Sequence, residues 1–187
     1  MLGDAEATGE GAGFREVDVP GVGVVWARRP GPDAIPHLAV AGDASVPAEQ
    51  RSEALHRFVR MLLRDGEFDG LLLRMAEGGA PADTVHRVAE ALATWGTARP
   101  YVTVVTLALS CAHSWREVRR RLVECGVDPM GLRSMHWLLD VVERMLLDGL
   151  PVTGDADKDR AEREKLLTTL YPPQPARRRS AAAGQAG

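Results

Sequence analysis

Hydrophobic and polar positions change period once along this chain, and the change divides it. From Phe14 to Ala27 the pattern alternates, with Val17 and Val19 set against Glu16 and Asp18, then Val22, Val24, Val25 and Trp26 after Pro20-Gly21. Period two is the signature of a half-buried strand, and Pro followed by Gly suits the two central positions of a type II turn, so a small β-hairpin is expected. Ile35 to Val40 reads as a short third strand, confined to an edge by Pro36.

From Pro47 onward the period is helical. Leu55, Phe58, Val59 and Leu62 fall at i, i+3, i+4 and i+7, and Phe68, Leu71, Leu72 and Met75 repeat the spacing before Gly78-Gly79. Pro81 opens a third stripe of Val85, Val88, Ala89, Leu92 and Trp95, which Gly96 stops. The valines and threonines of Tyr101 to Ala112 favour a strand by propensity. Thr103, Thr106, Ser110 and His113, however, form one polar stripe at helical spacing and no face of a strand, so this segment too is expected to be helical. Ser114-Trp115-Arg116-Glu117 has the form of a capping box. The next helix should bury Trp115, Val118, Leu122 and Cys125 and end at Gly126. Ser134 to Asp148 is apolar around most of its circumference, leaving only His136, Asp140 and Glu143 as a polar stripe. Asp155 to Tyr171 is a charged helix with an expected Asp159/Arg163 pair and packing residues Leu166, Leu167 and Leu170.

The fold class that follows is mainly α with a small N-terminal β-hairpin or sheet, an α+β arrangement whose C-terminal half is a helical bundle. Four segments are expected: a tail at 1–13, an α+β domain at 14–96, a helical domain at 97–171 sharing its core, and a Pro/Arg/Ala-rich tail at 172–187. A length of 187 residues with 45% hydrophobic and 26% charged residues is a globular balance.

Net charge is −3, so no whole-molecule positive field gathers nucleic acid, although all but Lys158 and Lys165 of the 23 basic residues are Arg. Arg116, Arg119, Arg120 and Arg121 suggest a phosphate-contacting face. Glu117 and Glu124 dilute it, and the following helix carries Met, Trp and Leu where base-reading side chains belong, so nucleic acid is disfavoured as a partner. The N-terminal stretch lacks the basic start and apolar run of a secretory signal, and no run reaches the ~20 apolar residues of a membrane span.

No chemistry can be assembled locally. His37, His56, His86, His113 and His136 lie on different elements, Cys111 and Cys125 have no metal-ligand spacing, and no phosphate-binding loop occurs. The expectation is a non-enzymatic protein without catalytic residues, metal, cofactor or small-molecule substrate.

Several segments in order resemble the tail assembly chaperones of long-tailed phages infecting actinobacteria. They are Ala98-Arg99-Pro100-Tyr101-Val102-Thr103-Val104-Val105, Ser114-Trp115-Arg116-Glu117-Val118-Arg119-Arg120-Arg121-Leu122 and Gly126-Val127-Asp128-Pro129. Leu132-Arg133-Ser134-Met135-His136-Trp137-Leu138-Leu139-Asp140 and Leu170-Tyr171-Pro172-Pro173 complete the set, whereas the half from Phe14 to Trp95 is similar only in outline. The resemblance implies two segments, often joined by programmed frameshifting, that keep the tape measure protein soluble while tail tube subunits assemble around it. It places the junction at Thr94 to Pro100. It further implies the tape measure protein as partner, the tail tube protein as a second one, work in the host cytoplasm, and room for self-association. Met61, Met75, Met135 and Met145 lie on expected helices and are the candidate partner-binding residues, because methionine adapts to irregular apolar surfaces. A small helical DNA-binding regulator and a structural head–tail or virion component are the alternatives.

Overall fold

The computed structural model describes residues 13–151 and 153–173, apart from the Met130 side chain. The two expected tails lie almost wholly outside these residues. Strands β1 (Arg15–Val19) and β2 (Gly23–Ala27) pair antiparallel, with Val17 opposite Val25 and Val19 opposite Gly23. The Val22 amide donates to the Val19 carbonyl at 2.9 Å and Gly21 sits at φ +78°, as a type II turn requires of its third residue. Alternation carries Val19, Val25 and Ala27 into the core and leaves Val24 and Trp26 outside.

A two-stranded hairpin is marginal alone, and here helices cover and anchor it. Eight α-helices follow among the described residues: α1 (Ile35–Gly42), α2 (Ala48–Leu62), α3 (Glu67–Ala76), α4 (Thr84–Ala93), α5 (Tyr101–His113), α6 (Trp115–Glu124), α7 (Met135–Asp148) and α8 (Ala156–Leu170). The end of α2 is stitched to β2 by Arg28 N–H to the Leu62 carbonyl at 2.8 Å and Arg64 N–H to the Trp26 carbonyl at 2.9 Å.

The expected third strand is a helix. Pro36 occupies the first turn of α1, where its missing N–H costs nothing, and Ile35, Leu38 and Ala39 are buried at i, i+3 and i+4. Helix α1 packs closely on α5: a Cβ at Gly42 would stand 2.1 Å from Val105 Cγ1. The polar stripe of α5 reads correctly as helical, with each hydroxyl finding an acceptor. Thr106 Oγ1 donates to the Val102 carbonyl at 2.8 Å and Ser110 Oγ to the Thr106 carbonyl at 3.0 Å, while fully buried Thr103 reaches across to the Leu170 carbonyl at 2.6 Å.

One buried cluster runs through both expected halves, from Val19, Leu38, Phe58, Leu62 and Leu92 to Leu107, Met135, Leu139 and Leu170. Segment 94–100 is tied to α7 and the end of α8. The Arg99 guanidinium donates to Asp140 Oδ1 at 2.6 Å and to Glu143, and the Tyr171 hydroxyl donates to Glu143 Oε1 at 2.7 Å. Burial works against the Arg99 charge, but the hydrogen bonds to Glu143, Asp140 and Tyr171 outweigh it, and its pKa is raised.

Two local expectations fail. Ser114 both ends α5 and begins α6, at φ −105° and ψ 19°, and its hydroxyl caps nothing; Glu117 accepts from Arg120 Nε at 2.9 Å instead of closing a capping box. Asp159 accepts from the Thr153 amide at 2.9 Å and the Thr153 hydroxyl at 2.8 Å, holding the loop before α8, so its carboxylate is engaged there and not with Arg163. Asp155 caps α8 through the amides of Asp157 and Lys158.

Candidate functional site

Side chains that do chemistry are scattered. Cys111 is buried, and burial pushes its thiol up to about 11, where it is a poor nucleophile; Cys125 is exposed and the two are not bonded. Among the described residues no group of three or more His, Cys, Asp or Glu converges as a metal site, and no helix is long and apolar enough to cross a membrane.

The four candidate methionines lie on three helices. Met61 lies in the last turn of α2 and Met75 near the end of α3, both half-buried against the core. Met135, expected to be available to a partner, is fully buried at the first turn of α7, where its amide also donates to the Pro30 carbonyl at 3.0 Å. It is a core residue and has no surface to offer. Met145 is half-buried and lines a groove with Leu122, Cys125, Val127, Trp137 and Val141.

What is exposed instead is aromatic and β-branched. Trp115, expected to be inside, and Trp137 retain 40% and 41% of their surface, and Val123 retains 60%. Helix α6 explains this. It buries only Val118 and Leu122; Val123 is turned away from that stripe, whereas Trp115 shares its side by spacing but stays exposed at the first position of the helix, beside the corner with α5. Cys125, expected on the buried side, is exposed because α6 has already ended. Gly126, at φ +73°, ends the helix as expected: the Val127 amide bonds the Leu122 carbonyl at 2.9 Å, the long-range bond of a Schellman ending.

Three grooves meet around this helix. One of about 530 Å³ is lined by Trp115, Arg119, Val123, Val127, Asp128 and Pro129. A second, of about 310 Å³, shares Trp115 and continues over Ile35, Cys111 and Leu138. A third, of about 370 Å³, shares Val127 and is the one that Met145 and Trp137 line. The shared walls make them one apolar track crossing α6 and the outer side of α7.

Charge along the track is unevenly committed. Arg120 is clamped between Glu117 and Glu124, which raises the guanidinium pKa and lowers that of Glu117. Arg144 pairs with Asp148 at 3.0 Å, and Arg121 lies 3.5 Å from the same carboxylate. The basic cluster read from sequence as a phosphate-contacting face is thus partly neutralised within the protein. A surface of exposed indoles and aliphatic side chains with paired charges at its rim is suited to binding another polypeptide.

Comparison with known proteins gives two family matches: the family described as phage tail assembly chaperone protein over residues 1–100, and a family of unknown function over residues 110–187. No curated protein and no solved structure matches the chain.

Proposed function

Because this chain belongs to the phage tail assembly chaperone family, we propose that it binds the tape measure protein and keeps it soluble while tail tube subunits assemble around it. The family match over residues 1–100 carries this reading. The apolar track around α6 supports it, because a long helical client with exposed apolar stripes needs a surface of that kind before the tail exists. The protein acts by binding alone, without a catalytic step, in the cytoplasm of the host. The segments from Ala98 to Pro173 that resemble the chaperones of actinobacterial long-tailed phages favour such a host.

The direct test is co-expression of the tape measure protein of the same phage with and without this chain. Soluble tape measure protein, co-purifying with the chain, is the expected result. A tape measure protein equally insoluble in both cultures would overturn the assignment.

A further inference from the structure

Resting on that reading, we propose that the outer face of α6, with the turn at 126–129, is where the client docks, and that it takes an amphipathic helical segment with acidic side chains beside its apolar stripe. Trp115, Arg119 and Val123 follow at i, i+4 and i+8, so they form a single line along α6, about 12 Å long at 1.5 Å per residue. That line spans roughly two turns of a partner helix. It opens at Trp115 and Val127 into the neighbouring grooves, so the apolar stripe of a longer helix has somewhere to continue.

Charge decides the chemistry of the occupant. Among the described residues, Arg120, Arg121 and Arg144 have carboxylate partners, whereas exposed Arg116 and Arg119 have none. Asp128, the acid on the groove wall, is itself engaged. The uncommitted charge beside the apolar line is therefore positive, and an acidic residue flanking the client's stripe supplies its complement. A second copy of this chain is a poorer fit: its most charged helix, α8, balances its carboxylates with Lys158, Arg160, Arg163 and Lys165 and turns Leu166 and Leu170 to its own core.

The experiment co-expresses the full chain with the tape measure protein of the same phage and measures soluble tape measure protein, the melting temperature of the chain and its mass in solution. The variants are Val123→Asp, the double change Arg116→Glu with Arg119→Glu, and Arg74→Glu, an equally exposed control on α3. The first two should lower the soluble client by roughly tenfold or more with the melting temperature unchanged, and the control should not. If both hold the client as the unaltered chain does, the docking surface is wrong while the proposed function stands. If the unaltered chain fails to hold the client, both fall. A loss of self-association with client yield unchanged marks the face as a contact between copies and also overturns the proposal. Should the variants unfold, hydrogen exchange on the unaltered complex decides: protection of residues 115–129 by the client supports the assignment, and its absence there ends it.

Discussion

Thr103 shows how one hydroxyl can join distant parts of a chain. It is fully buried, and its Oγ1 donates to the Leu170 carbonyl, which the end of α8 leaves without a helical partner. Thr103→Val keeps the shape and removes the donor. It should cost about 1–3 kcal/mol, read from urea denaturation, because a buried carbonyl is left unpaired; an unchanged midpoint would mean that water reaches this carbonyl. His136 is the second residue of interest. It is half-buried, and burial lowers its pKa by more than the opposing contact with the Trp95 backbone raises it. Below the ordinary imidazole value of about 6.5 the unfolded chain therefore binds more protons than the folded one, and stability falls as the pH drops from there. His136→Gln should flatten that fall when urea midpoints at about pH 7.5 and pH 5.5 are compared. An equally steep fall in the variant would assign the pH dependence to another group.

At the scale of elements, α7 has more apolar residues than one buried face can take. Met135, Leu138, Leu139 and Val142 go inside; Trp137 remains outside on the α6 track. Met135→Ala should destabilise the fold by about 2–5 kcal/mol through the cavity it opens. Trp137→Ala should lower the melting temperature less than Met135→Ala, since about two fifths of Trp137 is already exposed whereas Met135 is fully buried. The reverse order in a thermal melt would show that α7 is rotated from the orientation described. Helix α6 buries less: only Val118 and Leu122 go inside, and Trp115 and Val123 stay exposed. The outer strand face likewise exposes Trp26, with the Arg64 guanidinium 5.0 Å from its ring centroid.

For the whole molecule the question is whether the halves are independent. The two family matches meet around α5, ending at residue 100 and resuming at residue 110, yet α5 buries Val104, Leu107, Ala108 and Cys111 in the cluster that also holds Leu38 and Phe58. A core continuous across the boundary unfolds as a unit. Trp26 and Trp95 report on one half and Trp115 and Trp137 on the other, so fluorescence and far-ultraviolet circular dichroism should trace a single coincident urea transition. Residues 1–100 alone should bind a hydrophobic dye and lack fixed near-ultraviolet signals, because α1 then loses its cover. Two separated transitions would instead establish two independent folding units.

Local pattern was enough for the hairpin, for α2 to α8 and for the glycine endings, because backbone hydrogen bonding and amphipathic period are set within a few residues. Even α5 was legible from the spacing of its hydroxyls, against the strand propensity of its valines. Ile35 to Val40 was not, since a proline serves an edge strand and a helix first turn equally well and only packing against α5 chose between them. The family was legible too, though from the segments between Ala98 and Pro173, while the chaperone match falls on residues 1–100, where the pattern had suggested only an outline. The candidate surface was the least legible. Apolar character says that a residue prefers to leave water, but a long apolar helix offers more such residues than its neighbours can cover. The orientation of α6 and α7 in the assembled core decided that Met135 goes in, that Trp115, Val123 and Trp137 stay out, and that Arg121 comes near Asp148: those are contacts between helices, which no single stretch of sequence contains.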